Sequence, residues 1–329
     1  MRERLQEILQ IAVNYDVTDI HFDVRREKEC EKTIVEMRVK GKIRRLKEKE
    51  DDMKLFRYLM YRANLDVSDA LRPQTGSFHE EVNGKMLSLR FATVSSYHIM
   101  SGVLRILNCH GNLKISDLTF DEDAISWMEK ITDHRNGLFI FTGPTGSGKT
   151  TSLYTILNAC TGKKIFTLED PVEVVNEKYI QIQINEKQHM SYADGIRQLM
   201  RHDPDIVMIG EIRDEEAARM AVRCALTGHL VLTSLHASSC ISAIYRMEDL
   251  GVDMMQMEDV LAGICSQRLY ETEEGRKVSV YEYMDRKQLQ TWFTTKKVPE
   301  NFHSLSEKTI QAIENRWITK ESAEADTLA

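Results

Sequence analysis

The first hundred residues combine helical and strand-like hydrophobic patterns. Residues 4–13 carry apolar side chains at the spacing of one helical face, which predicts an amphipathic helix. A second helix is predicted over residues 52–65. Segments that alternate apolar and polar residues predict half-buried strands at 19–24, 33–39, 41–46 and 85–96. Helices and strands mixed over so short a distance indicate a compact α+β domain.

The periodic pattern lapses at residues 108–116, which we interpret as a linker between an N-terminal domain, 1–107, and a second domain, 117–329. Directly after this linker, Thr119 and Glu122 have the spacing of a capping box and predict the start of a helix. Gly137 is placed to end that helix.

From residue 138 onward, continuous apolar runs alternate with segments of helical spacing. The runs have the length of strands and lie at 138–142, 164–168, 205–209 and 229–235. Buried strands between helices predict a parallel sheet covered on both faces, which is the α/β class of fold. The last segment, 285–329, is polar and predicts a helical tail.

A glycine-rich segment follows the first of these strands and opens a helix. Its sequence GPTGSGKT, Gly143–Thr150, matches the phosphate-binding pattern G-x-x-x-x-G-K-[ST] in full. Lys149 is expected to bridge the β- and γ-phosphates of ATP, and the Thr150 hydroxyl is expected to hold Mg²⁺. The predicted ATP-binding residues are Gly143, Pro144, Thr145, Gly146, Ser147, Gly148, Lys149, Thr150 and Thr151. The sequence therefore predicts an ATPase that uses ATP and Mg²⁺.

Ionisable side chains follow three more of the predicted strands. Glu169, Glu211 and His236 each come at or just after a strand end, and parallel strands bring such ends to one edge of a sheet. Gly210 stands where a magnesium-binding aspartate is usual, so Glu211 is expected to reach Mg²⁺ through water or to orient the attacking water. Glu169 is the competing candidate for polarising that water, and the sequence leaves the choice open.

Composition narrows the class of protein. The chain of 329 residues is 42% hydrophobic and 29% charged, as expected of a globular protein. Its net charge of −7 argues against a general nucleic-acid binder. The six cysteines form no C-x-x-C pair and fit reduced thiols in a cytosolic protein. No apolar run approaches the ~18 residues needed to cross a bilayer, so any work at a membrane is expected from the cytoplasmic face.

Four ordered motifs make the chain resemble a known family. They are GPTGSGKTT (143–151), TLEDPVE (167–173), RHDPDIVMIGEIRD (201–214) and LTGHLVLTSLHA (226–237). These resemble the Walker A motif, Asp box, Walker B motif and His box of the type II secretion and type IV pilus ATPases. Upstream, TDIHFD and RPQTGSF resemble further family elements, so that the resemblance covers residues 16 to 284.

This resemblance implies a RecA-like P-loop ATPase domain preceded by a smaller PAS-like α+β domain, assembled as a homo-hexamer with nucleotide at the subunit boundaries. Glu169 would be the catalytic glutamate of the Asp box, and Glu211 the Walker B glutamate. His229 and His236 would sense the nucleotide state. Two arginines of the N-terminal domain match the family's arginine fingers, which would reach the γ-phosphate: Arg90 and Arg105.

The chain also departs from the broader family. It starts at the PAS-like domain, lacks the tetracysteine zinc motif, and has Lys40 where the family's turn carries an acidic residue. This short layout resembles the ATPases of competence pili in Gram-positive bacteria. That resemblance implies a peripheral position on the inner face of the cell membrane, a polytopic membrane platform protein as partner, and pilin-like subunits as indirect partners.

Three other functions stay open at this stage. The pilus-retraction ATPase is similarly short and has close Walker B and Asp-box sequences. A RecA-like nucleic-acid motor is opposed by the acidic charge and by the absence of a stripe of basic and aromatic residues, so no direct nucleic-acid contact is expected. A nucleotide-switched scaffold with little turnover is the third.

Overall fold

A computed structural model describes residues 1–15, 17–27, 30–39, 42–49, 52–69, 72–96, 99–107, 113–172, 175–184 and 190–327. These residues form two compact units, one within residues 1–111 and the other within 112–172 and 176–329. Lys40, Glu173 of the Asp-box segment and residues 108–112 of the predicted linker lie outside the described residues.

The first unit is built from two helices and six strands. In chain order they are α1 (Arg2–Asn14), β1 (Asp19–Glu27), β2 (Cys30–Val39), β3 (Lys42–Arg45), α2 (Asp52–Arg62), β4 (Gln74–Val82), β5 (Lys85–Ser95) and β6 (Ile99–Ile106). The strands pair antiparallel in the order β3-β2-β1-β6-β5-β4. The predicted helices and strands of this part are thereby confirmed.

The core of the first unit lies between the sheet and its two helices. The four apolar residues of the predicted α1 face are fully buried: Leu5, Ile8, Leu9 and Ala12. Phe91 of β5 packs edge-on against Phe22 of β1 and Phe56 of α2, with ring centroids 6.2 and 5.4 Å apart. Burial of such large aromatic side chains is a main source of core stability.

The second unit begins with a short 3₁₀ turn at Ile115–Asp117. Its regular elements are α3 (Glu122–Ile131), β7 (Gly137–Thr142), α4 (Lys149–Ala159), β8 (Ile165–Glu169), β9 (Ile180–Gln183), α5 (Tyr192–Leu199), β10 (Ile206–Ile209), α6 (Glu215–Leu226), β11 (Leu230–Leu235), α7 (Cys240–Asp249), α8 (Met254–Val260), β12 (Leu261–Glu271), β13 (Lys277–Asp285), α9 (Arg286–Thr295), α10 (Leu305–Glu314) and α11 (Lys320–Thr327).

These strands form a sheet in the order β13-β12-β7-β11-β10-β8-β9, in which only β13 runs antiparallel to its neighbour. Alternate residues of β7 contact opposite layers. Leu138 and Ile140 belong to the core shared with α5 and α6, whereas Phe139 and Phe141 lie against Trp127 of α3. The predicted parallel α/β sheet with both faces covered is confirmed, and the carboxyl ends of β7, β8, β10 and β11 share one edge.

The start and end of α3 differ from the sequence-based expectation. Asp121, not Thr119, caps the helix, because its carboxylate accepts hydrogen bonds from the Asp123 and Ala124 amides. The Thr119 hydroxyl instead accepts from the amide of Asp121. The helix ends at Ile131, and Gly137 is the first residue of β7, with a φ of +117°. The predicted cap and stop were therefore both wrong.

Candidate nucleotide-binding and catalytic site

The loop between β7 and α4 has a backbone that only glycine adopts readily. Gly143, Gly146 and Gly148 have φ angles of +143°, +81° and +88°. There is also no room for a side chain at Gly143, since an added Cβ would lie 2.5 Å from the carbonyl oxygen of Gln267. Backbone amides at the start of a helix, reached by such a close-fitting loop, form the usual binding site for phosphate.

Lys149 begins α4 and lies against this loop. Its side chain is nearly buried, and Nζ donates to the carbonyl oxygens of Gly143 at 2.8 Å and Pro144 at 3.0 Å. Burial lowers the pKa of the Lys149 ammonium; the negative charge of Glu211 opposes this shift, and the positive charge of Arg268 adds to it. The ammonium group is thus held at the loop within the electrostatic influence of Glu211.

Glu211 follows β10 and takes part in an ion-pair network at the same edge. Its Oε1 lies 3.2 Å from Nε2 of His236, which follows β11. Arg213 donates to Glu211 Oε2 at 2.9 Å and to Asp170 Oδ2 at 3.4 Å. The Glu211 side chain keeps 21% of its surface exposed, so it can meet a ligand from solvent. Two predicted site residues, Glu211 and His236, are therefore in contact.

Glu169 ends β8 at this edge too, but its carboxylate is buried, with 3% of the residue exposed. Tyr154 of α4 donates to Oε2 at 2.6 Å. Thr167 and Gln181 donate to Oε1, the latter at 3.2 Å. These hydrogen bonds satisfy a carboxylate that would be costly to bury alone, and they fix its orientation. Glu169 is therefore a held group, whereas Glu211 is an accessible one.

His229 lies elsewhere in the second unit. It immediately precedes β11, and its carbonyl oxygen accepts from the amide of Gly137 at the start of β7. Its Nδ1 lies 3.0 Å from the Thr227 hydroxyl and 3.1 Å from the carbonyl oxygen of Cys224. Because β7 and β11 are parallel, His229 is at the amino edge of the sheet, opposite the phosphate loop. The structure does not bring it to Lys149, and its assignment as a nucleotide sensor stays a prediction.

Arg90 and Arg105 lie in the first unit, on β5 and β6. They are directly opposite one another across the strand pair and so point to one face of the sheet. Arg105 donates to Asp19 Oδ1 at 2.7 Å while its side chain stays largely exposed. Arg90 is half-buried. Their role as arginine fingers stays a prediction.

Sequence reasoning missed two residues of the site. Arg213 could have been predicted from the sequence, since it is a cation two residues after Glu211. Gln267 of β12 donates from Nε2 to the carbonyl oxygen of Ser147 in the phosphate loop. Nothing in its local sequence marks this contact, because 120 residues of chain separate the two partners.

The donor set fits Mg²⁺ better than a tightly bound transition metal. Among the described residues, no cluster of three or more His, Cys, Asp or Glu side chains could hold a metal ion. At a nucleotide site, Mg²⁺ needs few ligands from the protein, because phosphate oxygens and water molecules supply its other ligands. The assignment of Thr150 and Glu211 as these protein ligands stays a prediction.

The helices of the described residues were also compared with the length and apolar character of a membrane span. None of them reaches both.

Residues 1–321 match the model of the type II/IV secretion system protein family, and the chain belongs to this family. Among its relatives, it is 34% identical over 307 residues to competence protein ComGA of Bacillus subtilis, covering 87% of this chain and 85% of ComGA. It is 37% identical over 271 residues to type II secretion system protein E of Pseudomonas aeruginosa. That match covers 80% of this chain but 53% of the relative, so the chain spans about half the relative's length.

Solved structures agree with this family assignment. The pilus retraction motor PilT with bound ADP superposes with a TM-score of 0.73 at 25% identity, over 97% of this chain and 95% of PilT. The ATPase DotB of Legionella pneumophila gives a TM-score of 0.77 at 20% identity, over 99% and 95% of the two chains, which shows the shared fold. The predicted resemblance to the secretion and pilus ATPases is confirmed, as is the α/β fold.

Proposed function

We propose that this chain is an ATP-hydrolysing motor that powers assembly of a competence pilus for DNA uptake. The observation that carries the ATPase part is the placement of Lys149, Glu211 and His236 at the sheet edge that bears the glycine loop. The similarity to ComGA over most of both chains supports the competence part.

The site residues divide the chemical work. The loop amides and Lys149 bind the β- and γ-phosphates of ATP, and Lys149 Nζ exchanges the Gly143 and Pro144 carbonyl oxygens for phosphate oxygens. Thr150 and Glu211 would hold Mg²⁺, which would supply positive charge at the phosphates. Glu169 and Glu211 are the two candidates for orienting the attacking water. His236 contacts Glu211 and senses the nucleotide state through it.

We place this site in a homo-hexamer of PAS-like and RecA-like domains, with Arg90 and Arg105 as fingers on the γ-phosphate. The fingers matter because charge on the transferring phosphoryl group needs a cation that arrives with closure of the site. Hydrolysis then changes the angle between the domains, and the ring passes this motion to a polytopic platform protein. The motor works at the cytoplasmic face of the membrane and acts on pilin-like subunits indirectly.

A retraction motor is the second candidate, because the likeness to PilT covers nearly all of both chains. Deleting the gene separates the two functions. Loss of an assembly motor leaves cells without pili, whereas loss of a retraction motor leaves cells with more or longer pili. A DNA-stimulated, salt-sensitive ATPase rate would favour a nucleic-acid motor over both.

The ATPase proposal is tested by Lys149→Ala. We expect phosphate release from ATP and Mg²⁺ to fall by about 10²–10³-fold, since a preorganised cation at the phosphates is lost. Lys163→Ala is the matched control, because Lys163 also donates to two backbone carbonyl oxygens, those of Thr132 and His134, but at the opposite edge of the sheet. Equal turnover by both variants would contradict the proposal; undiminished pilus activity in Lys149→Ala would favour a scaffold.

A further inference from the structure

Gln267 lies against the phosphate loop, close to Gly143, Ser147 and Gly148. The residue is fully buried on β12, the strand beside β7. Its Nε2 donates to the carbonyl oxygen of Ser147. A Cβ added at Gly143 would lie 2.5 Å from its backbone oxygen, and one added at Gly148 would lie 3.1 Å from its Nε2. Gln267 thus packs against the loop from Gly143 to Gly148, the residue that precedes α4.

The Ser147 carbonyl explains why a donor is needed there. Ser147 is nearly buried, and a buried carbonyl oxygen without a donor is destabilising. The Ser147 amide donates a hydrogen bond to the carbonyl oxygen of Pro144, so the peptide groups on both sides of Ser147 are held in place. Among the described residues, the Oε1 of Gln267 has no hydrogen-bond partner. The amide therefore serves the loop as a donor, a task that a carboxylate or an apolar side chain cannot perform.

The neighbouring strand, β13, contacts the helix that follows the loop. On β13, the Tyr281 hydroxyl lies 2.7 Å from the Ser152 hydroxyl of α4. The hairpin β12–β13 therefore contacts the loop through Gln267 and the helix through Tyr281. Because the two contacts are separate, the effect of Gln267 on the loop can be tested without altering the support of the helix.

We propose that Gln267 is a positioning residue that holds the phosphate loop in its ATP-binding shape by fixing the Ser147 carbonyl. This inference rests on the proposed ATPase function. A loop that is already ordered loses less conformational entropy when a ligand binds, so its support contributes to affinity. We expect the contribution to act on bound ATP and on the transition state alike, because Gln267 is fully buried and contacts the loop itself.

The test compares Gln267→Met with Gln288→Met in the full chain. Gln288 is a buried glutamine that donates to the Asn301 carbonyl oxygen, remote from the loop. For Gln267→Met we expect about a tenfold rise in KM for ATP, equivalent to about 1.4 kcal/mol, with kcat nearly unchanged as for uniform binding. Gln288→Met is expected to keep the wild-type KM. A Gln267→Met enzyme with wild-type KM, or with a loss confined to kcat, overturns the proposal.

Gln267→Glu provides a second readout that a purely structural role would not produce. Burial raises the pKa of a carboxyl group, and the protonated acid regains a hydrogen that Ser147 can accept. We therefore expect its KM defect, relative to wild type, to shrink as pH falls from about 8 to about 6. A defect independent of pH counts against the proposal. If neither Gln267 variant folds while Gln288→Met does, Gln267 serves folding and the proposal is overturned; if wild type shows no turnover, the ATPase function itself fails.

Discussion

Glu169 ends β8 and Glu211 follows the neighbouring strand β10, yet their carboxylates have different surroundings. Glu169 is buried and accepts hydrogen bonds from Tyr154, Thr167 and Gln181. Glu211 is partly exposed and contacts two charged or ionisable side chains. A group that is fixed by several donors contributes to stability as well as to any chemistry it performs, whereas a partly exposed group is freer to change partners.

This difference predicts how two conservative variants behave. Glu169→Gln turns an NH₂ group toward donors and should lower the free energy of unfolding by about 1–3 kcal/mol, along with the ATPase rate. Glu211→Gln should lower the rate while the free energy of unfolding stays within about 0.5 kcal/mol of wild type. Denaturant unfolding and phosphate release measure the two quantities, with exposed Glu273→Gln as control. Equal stability of the two site variants would contradict this assignment.

At the scale of residues, the sequence predicted the groups that follow strand ends. The proximity of Lys149, Glu211 and His236 could be predicted, because the carboxyl ends of parallel strands lie at one edge of a sheet. His229 was grouped with them by its motif and by its place beside the same strand as His236, but the strand direction puts it at the other edge. Gln267 could not be found, because its contact with the loop depends on which strand lies beside β7.

At the scale of elements, one buried carboxylate joins two helices. Glu282 of β13 accepts from the amide of Cys240 at 2.6 Å through Oε1 and from the amide of Leu305 at 2.8 Å through Oε2. These are the first residues of α7 and α10, where free amides and the helix dipole favour a negative group. Since α7 begins four residues after His236, Glu282 connects the helical tail to the sheet edge that bears the glycine loop.

Replacing Glu282 should therefore destabilise the second unit. Glu282→Gln keeps the size of the side chain but loses the charge and one of the two acceptor oxygens. We expect the free energy of unfolding to fall by about 1–3 kcal/mol, read as a lower midpoint in urea with an unchanged slope. Glu314→Gln, at an exposed position of α10, is the matched control and should leave the midpoint in place. A midpoint unchanged in Glu282→Gln would show that the two amides need no carboxylate.

The cap of α3 shows what local patterns miss at this scale. Thr119 and Glu122 have the spacing of a capping box, but Asp121 caps the helix and also accepts from Lys308 Nζ at 2.9 Å. Lys308 belongs to α10, and both side chains are nearly buried. A carboxylate can satisfy the helix amides and a distant ammonium group together, which a hydroxyl cannot. The deciding partner lies 187 residues along the chain, beyond the reach of a pattern in sequence.

At the scale of the whole molecule, the motif order predicted the family and the α/β fold, since both follow from features within each stretch of chain. Which nucleotide the first unit acts on does not follow from features within one stretch of chain. Arg90 and Arg105 lie in the first unit and the phosphate loop lies in the second. Family resemblance assigns the arginines to a phosphate, but no hydrophobic pattern in either unit states whether that phosphate is bound by the same copy of the chain.

Mixing two inactive variants tests this assignment. Arg90→Ala keeps Lys149, and Lys149→Ala keeps Arg90. If the arginine acts on ATP bound by another copy, a mixed ring contains boundaries where an intact loop meets an intact arginine, and phosphate release should rise well above that of either variant alone. Arg90→Ala mixed with the double variant Arg90→Ala, Lys149→Ala is the control, because no such boundary can form. A rate that stays at the level of the single variants, in rings shown by native mass spectrometry to contain both chains, would place the arginine on its own copy's nucleotide or away from the chemistry altogether.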